Sequence, residues 1–267
     1  MQLLSWQSLA LTFSCFAFVP MALAGSEPGP EDVHKSWEGA HVYVPGKLFR
    51  QSVQDIAVEK PLPVVIYLHG CAGVQKSETQ WGQFLKGNGF IAVILDSFAR
   101  NRPASCDPAT RRYGMWPGAS AFRNDELAYA YQKVKEATWA DQGSVFLMGH
   151  SQGGYLVATS KLQQQYAGMV VSGWRCAGQD PRWSGLHMPR NIPVLVLNHA
   201  TDPWYPQEND RKCSEYFDGR AQAQEVVLPG HDHATFEPKA QEALLGFLRQ
   251  YSASTPRPAE SSASAAQ

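Results

Sequence analysis

The sequence predicts an α/β fold, a mostly parallel central sheet with helices on both faces. Three observations carry this. Short apolar, β-branched runs alternate along the chain with segments of helical period, the pattern of strand–helix crossover units. Those apolar runs are continuous rather than alternating, which is how strands buried on both faces read. One of them, Ser144-Val145-Phe146-Leu147-Met148, leads straight into Gly149-His150-Ser151-Gln152-Gly153 and a helix-like stretch from Gly154 to Gln165.

The elements follow in chain order. Met1 to Ala24 holds the largely apolar run Leu9–Val19, no charged side chain, and Ala22-Leu23-Ala24, which fits the small-residue cleavage rule of a signal peptide. Pro20 and the short apolar core argue against a transmembrane anchor. The mature protein is therefore expected to be periplasmic or secreted and to have no stable membrane anchor. Residues 25–38 are polar and rich in Pro and Gly, and read as a lead. His41–Val44 and Gly46–Arg50 read as a hairpin around Pro45. Pro63–Leu68 is a buried strand, Thr79–Gly87 a helix ended by Gly87-Asn88-Gly89, and Phe90–Leu95 the next strand.

Ser97 to Ala119 is long, polar and proline-containing, the length of a binding loop. Phe122–Trp139 is helical in pattern, with Phe122, Leu127, Tyr131 and Val134 at near-helical spacing. Met169–Val171, Val194–Leu197 and Glu225–Leu228 are further strands, and Pro238–Tyr251 is a helix. From residue 253 to Gln267 the chain is rich in Ser, Ala and Pro and lacks large apolar residues, the composition of a disordered tail. With 267 residues, 44% of them hydrophobic, and no repeat or second core, residues 25–252 read as a single domain. A net charge of −1 with 18% charged residues provides no basic face for nucleic acid. Arg100, Arg102, Arg111 and Arg112 read as a solvated loop face or as a hold for a substrate carboxylate.

The Gly149–Gly153 turn is where chemistry enters. A serine hydroxyl is a poor nucleophile unless it is held bare, beside a base and beside donors for a developing oxyanion. A sharp strand–turn–helix elbow does this for Ser151, and G-x-S-x-G in that context is the nucleophile elbow of the α/β-hydrolases. In that fold the partners follow the serine in the order acid, then base. Asp202 lies past the strand Val194–Leu197, at the carboxyl end where sites form in open sheets; Asp180, past the preceding strand, is the alternative acid. After the last strand, Pro229-Gly230-His231-Asp232-His233 offers two histidines as base. The oxyanion donors are expected from the backbone N–H groups of Gln152 and of Cys71, in the loop His69-Gly70-Cys71-Ala72-Gly73. His150 is expected to be packed, and His199 to line the pocket. Of the tryptophans 81, 116, 174, 183 and 204, Trp204, with Tyr205 beside Asp202, is the best pocket candidate. A His-x-His pair can bind metal, but no other His or Cys has ligand spacing to it, so no metal and no cofactor are expected.

These features resemble the dienelactone hydrolase family, over about residues 63–236. The resemblance rests on Leu68-His69-Gly70-Cys71-Ala72-Gly73, on Asp96-Ser97-Phe98 with Arg100 and Cys106, on Gly149–Gly154, and on Pro229-Gly230 ahead of His233 and Phe236. Family members place the base after a Pro-Gly and a two-residue gap, so the resemblance implies His233, with His231 second. Dienelactone hydrolases proper use a cysteine nucleophile where this chain has Ser151, so dienelactone itself is not implied. What is implied is a hydrolase of small-molecule esters or lactones. A peptidase with the same triad and a non-catalytic module on this scaffold are the alternatives; the intact Ser–Asp–His order speaks against the second.

Removing the signal leaves Cys71, Cys106, Cys176 and Cys213, an even set that suggests disulfides in an exported chain. Cys71 and Cys106 fall in the loops after two neighbouring strands. Cys176 and Cys213 fall after the two strands beyond Ser151. Both pairs are expected at the carboxyl edge of the sheet, so Cys71–Cys106 and Cys176–Cys213 are the expected bridges.

Overall fold

The structure, a computed structural model, describes residues 32–100, 106–107, 112–113, 118–160, 164–176, 184–205 and 212–253. The signal-like segment, residues 254–267 of the tail, Trp116, Trp183 and the alternative acid Asp180 lie outside the described residues.

Nine strands and five helices are described: α1 Val33–Glu38, β1 His41–Tyr43, β2 Leu62–Leu68, α2 Lys76–Gly87, β3 Ile91–Leu95, β4 Cys106–Asp107, β5 Arg112–Tyr113, α3 Ala119–Glu136, β6 Ala140–His150, α4 Gln152–Thr159, β7 Gly168–Ser172, β8 Val194–His199, β9 Ala223–Leu228 and α5 Pro238–Tyr251. Seven strands form one sheet in the order β1-β3-β2-β6-β7-β8-β9. Only β1 runs antiparallel, at one edge against β3; β4 and β5 form a small separate ribbon. Strand alternation splits the core. Val64, Ile66 and Leu68 of β2 pack with Leu127, Ala130 and Val134 of α3 and Leu156 of α4. Val65 and Tyr67 point the other way, to Trp81 and Leu85 of α2 and Leu244, Phe247 and Leu248 of α5.

Two expectations are corrected. The polar lead contains a short helix, α1, that buries Ser36 and Trp37. Residues 46–50 do not return along β1 as a hairpin arm. Instead β1 pairs with β3, the following segment meets β1 in a single bridge between Val42 and Gln51, and Leu48 and Phe49 are left 79% and 74% exposed. Two boundaries also move. The helix after the elbow ends at Thr159, and β6 starts as early as Ala140, through the polar Asp141-Gln142-Gly143.

The order of strands reverses at the β2–β6 boundary. From β2 the chain crosses to β3 on one side, and from β6 it proceeds through β7, β8 and β9 on the other. Such a switch point leaves a crevice outside the carboxyl ends of its two strands. The loop after β2 is His69–Gly73, and the residue after β6 is Ser151.

Candidate active site

Ser151 sits at the N-terminus of α4 with φ 56° and ψ −116°, in a backbone region costly for a side-chain-bearing residue. The glycines around it are required by contact. A Cβ on Gly149 would lie 2.2 Å from the carbonyl oxygen of Gly153, and one on Gly153 would lie 2.0 Å from that of Leu68. The elbow is thus pressed between β6, β2 and its own helix. The Ser151 N–H donates to Ser172 O at 2.8 Å, which pins the turn to the end of β7.

The loop after β2 reaches the serine, since a Cβ on Gly70 would lie 3.4 Å from Ser151 Cβ. Its geometry is set by His69, which is fully buried. The Ser97 N–H donates to His69 Nε2 at 3.1 Å, so that nitrogen carries the lone pair and Nδ1 the proton, which faces Gly70 O at 2.6 Å. In a trans peptide the C=O and N–H point oppositely, so holding Gly70 O also aims the Cys71 N–H. The Cys71–Cys106 disulfide ties the same loop to β4. A second disulfide joins Cys176 to Cys213. Both are the pairs expected from the strand order.

The acid and base candidates meet across β8 and β9, which run in parallel register from Val194↔Ala223 to His199↔Leu228. Beyond these ends His233 Nδ1 lies 2.7 Å from Asp202 Oδ2. A carboxylate only accepts, so Nδ1 carries a proton, and in the neutral imidazole Nε2 is the nitrogen with the lone pair. Asp202 is itself held, its Oδ1 accepting the Trp204 N–H at 2.9 Å. His233 Nε2 is buried and has no hydrogen-bond partner among the described residues. His231, two residues earlier, is exposed.

Around His233 the surroundings are aromatic. Trp204 stacks on its ring with centroids 5.3 Å apart, Tyr205 tilts against it at 5.7 Å, and Trp174 meets Tyr205 edge-on. The His150 ring lies 4.8 Å away, which puts His233 beside the residue preceding Ser151. His150 Nδ1 is 3.1 Å from Ser172 Oγ, which is 2.7 Å from Thr235 Oγ1, so a chain of polar side chains links the elbow to the histidine loop. Burial, with His233 and His199 nearby, pushes His150 well below its ordinary pKa and keeps it neutral. His199 is 3% exposed; its Nδ1 faces Pro229 O at 2.9 Å and its Nε2 faces Ala234 O at 3.1 Å, so its ring is packed between the two ends of the loop that carries His233. Trp81 lies on the opposite face of the sheet, packed against Phe84 and Phe236.

Arg100, expected on a solvated loop face or against a substrate carboxylate, belongs instead to a buried ionic group beneath this site that sequence reading missed; Arg102 and Arg111 lie outside the described residues. Arg100, Arg123 and Glu126 are all 2% exposed or less. Arg100 Nη1 lies 3.4 Å and Arg123 Nε 3.9 Å from the Glu126 carboxylate, which also accepts the Ser97 hydroxyl at 2.6 Å. The spacing Arg123/Glu126, one turn apart on a helix, is the available signal, but the same spacing is usual on solvated helix faces. No group of three His, Cys, Asp or Glu side chains suited to a metal occurs among the described residues.

A switch-point serine at a left-handed elbow, with an Asp–His pair past the following strands, defines the α/β-hydrolase class. Within that class the chain belongs to the dienelactone hydrolase family, whose model matches residues 52–264. It is a hydrolase, of the kind that opens ester or lactone bonds. Solved structures share the fold at low identity. A Klebsiella pneumoniae protein assigned to the dienelactone hydrolases is 20% identical with a TM-score of 0.53, covering 73% of this chain and 90% of that one. Est1E from Butyrivibrio proteoclasticus is 13% identical with a TM-score of 0.55, over 79% and 93%. XC6422 from Xanthomonas campestris, a serine hydrolase without a lid, is 16% identical with a TM-score of 0.54, over 81% and 90%. No curated protein matches the chain. No described helix is long and apolar enough to cross a membrane.

Proposed function

We propose that this protein is an exported serine hydrolase that cleaves small carboxylic esters or lactones through Ser151, His233 and Asp202. The observation that carries the reading is the Asp202–His233 pair at 2.7 Å, which leaves a buried, unpartnered Nε2 next to the elbow. His233 Nε2 takes the Ser151 proton as Oγ attacks the ester carbonyl. Asp202 keeps the imidazole in the right tautomer and stabilises it when charged. The oxyanion is received by the N–H groups of Gln152 and Cys71. Return of the proton to the leaving alcohol gives an acyl-enzyme, and a water activated by the same histidine releases the acid. Trp204 and Tyr205 flank the acyl or leaving group. Two disulfides and the signal-like start support passage through an oxidising compartment; the mature domain then begins near Gly25.

The test is labelling with a fluorophosphonate probe, paired with hydrolysis of p-nitrophenyl acetate. The wild type should label on Ser151 and turn over. Ser151→Ala should do neither, with turnover down by about 10⁴-fold or more. Retention of most activity by the purified variant would overturn the assignment. Faster turnover of peptides than of matched esters would replace the substrate class.

A further inference from the structure

We propose that Arg123 is a positioning residue for this reaction: from inside α3 it ties together the two chain segments that provide the oxyanion donors. The inference rests on the reading of Gln152 and Cys71 as those donors. A single nitrogen, Arg123 Nη1, donates to His69 O at 2.9 Å and to Gln152 Oε1 at 3.1 Å. His69 opens the loop after β2, two residues before Cys71. Gln152 follows Ser151 at the start of α4. The acceptors lie on opposite sides of the switch point, so the spacing of the two donor segments is set by one guanidinium.

The rest of the buried group closes a circuit behind it. Glu126 lies one helical turn from Arg123 and within 3.9 Å of its Nε. The Ser97 hydroxyl donates to Glu126, and the Ser97 N–H donates to the His69 ring, which faces Gly70 O. Arg123 therefore holds the oxyanion loop twice, directly at His69 O and indirectly through Glu126, Ser97 and the His69 ring. A buried ion pair is an expensive way to gain stability, because apolar residues of the same volume commonly do as well. Its distinctive property is geometric. One guanidinium nitrogen carries two N–H donors in a fixed plane, so a single group holds the His69 carbonyl and the Gln152 side chain at a set spacing, which no apolar side chain of the same volume can do.

The test compares Arg123→Met, Arg123→Lys and Gln152→Met on p-nitrophenyl acetate. Gln152→Met keeps the backbone donor and removes only the acceptor that Arg123 uses. Loss of a whole oxyanion donor costs about 10²–10³ in kcat, so misplacement should cost a part of that. The expected result for Arg123→Met is a fall in kcat of about 10–100-fold with KM changed less than about threefold. Arg123→Lys should fall between it and the wild type, and Gln152→Met should lose about tenfold. A trifluoromethyl ketone forms a tetrahedral oxyanion on Ser151, so its inhibition constant should weaken in step with kcat/KM. Binding of an ether isostere, which has no carbonyl, should stay unchanged. Unchanged kcat in both Arg123→Met and Gln152→Met would overturn the proposal, as would a rise in KM with normal ketone inhibition. If Arg123→Met does not fold, Gln152→Met decides alone. The proposed function is tested apart from this, by Ser151→Ala. A dead Ser151→Ala with normal Arg123 and Gln152 variants removes only the positioning role.

Discussion

The two disulfides allow stability to be separated from catalysis within one molecule. Cys71–Cys106 and Cys176–Cys213 close loops of sequence separation 35 and 37. Chain entropy assigns each about 4 kcal/mol, and the difference in loop length shifts this by less than about 0.1 kcal/mol. For a domain of this size that corresponds to about 8–15 °C of Tm per bridge. The double variants Cys71→Ala/Cys106→Ala and Cys176→Ala/Cys213→Ala should therefore lose similar thermal stability. They should not lose similar activity. Cys71 follows Gly70, whose backbone lies against Ser151, and donates to the proposed oxyanion. Loosening one donor forfeits part of its value of about 10²–10³, so turnover at 20 °C should drop about tenfold in the first variant. In the second it should stay within about threefold, because Asp202 and His233 are held by the β8–β9 register and by His199. Calorimetry and p-nitrophenyl acetate hydrolysis, both far below Tm, read the two quantities separately. Equal turnover in the two variants would refute the link between the bridge and the oxyanion loop. A Tm loss in only one would refute the entropic account.

Asp202→Asn should lower turnover by about 10³–10⁴-fold with an unchanged circular dichroism spectrum, because the wrong tautomer leaves Nε2 without its lone pair; a mild Asp202→Asn beside a damaging Asp180→Asn would move the acid. His233→Ala should match Ser151→Ala while His231→Ala, at an exposed position, keeps most activity; the reverse ranking would reassign the base. Burial holds His150 neutral well below its ordinary pKa of 6.5, so as pH falls through 6.5 the unfolded chain takes up a proton that the folded chain refuses. Stability should then fall by up to about 1.4 kcal/mol per pH unit from this residue, and His150→Gln should flatten denaturant-measured stability between pH 7 and 5; identical slopes would refute it. Gly153→Ala should abolish folding, since its Cβ would lie 2.0 Å from Leu68 O, whereas Gly246→Ala, in an exposed helical position with nothing within 4 Å, should gain about 1 kcal/mol in thermal melts.

The central strands were legible because parallel strands buried on both faces must be continuously apolar, and β2, β3, β7 and β8 are. The edge was not. His41–Val44 and Gly46–Arg50 read as hairpin arms around Pro45, but the partner of β1 is β3, some fifty residues along the chain, and local pattern carries no trace of that pairing. Trp37 anchors α1 from within a polar run too short for periodicity to register. At the site, Ser151, Asp202 and His233 stood out because each lies just past a strand end, in the order this fold uses. His233 over His231 came from the family resemblance, and the Asp202 contact agrees with it. Arg123 and Glu126 were illegible because a charged pair on a helix reads as a solvated face, and only the packing of α3 against the loop after β2 turns it inward.

The Cys176–Cys213 bridge encloses β8, which lies between β7 and β9 and carries Asp202 past its end. A protease that cuts any peptide bond between those two cysteines leaves both fragments on one covalent frame. The strand stays hydrogen-bonded on both sides, and the cut chain migrates as a single species until thiol is added. A cut between Asp202 and Cys213 would leave the Asp202–His233 contact on one covalent frame.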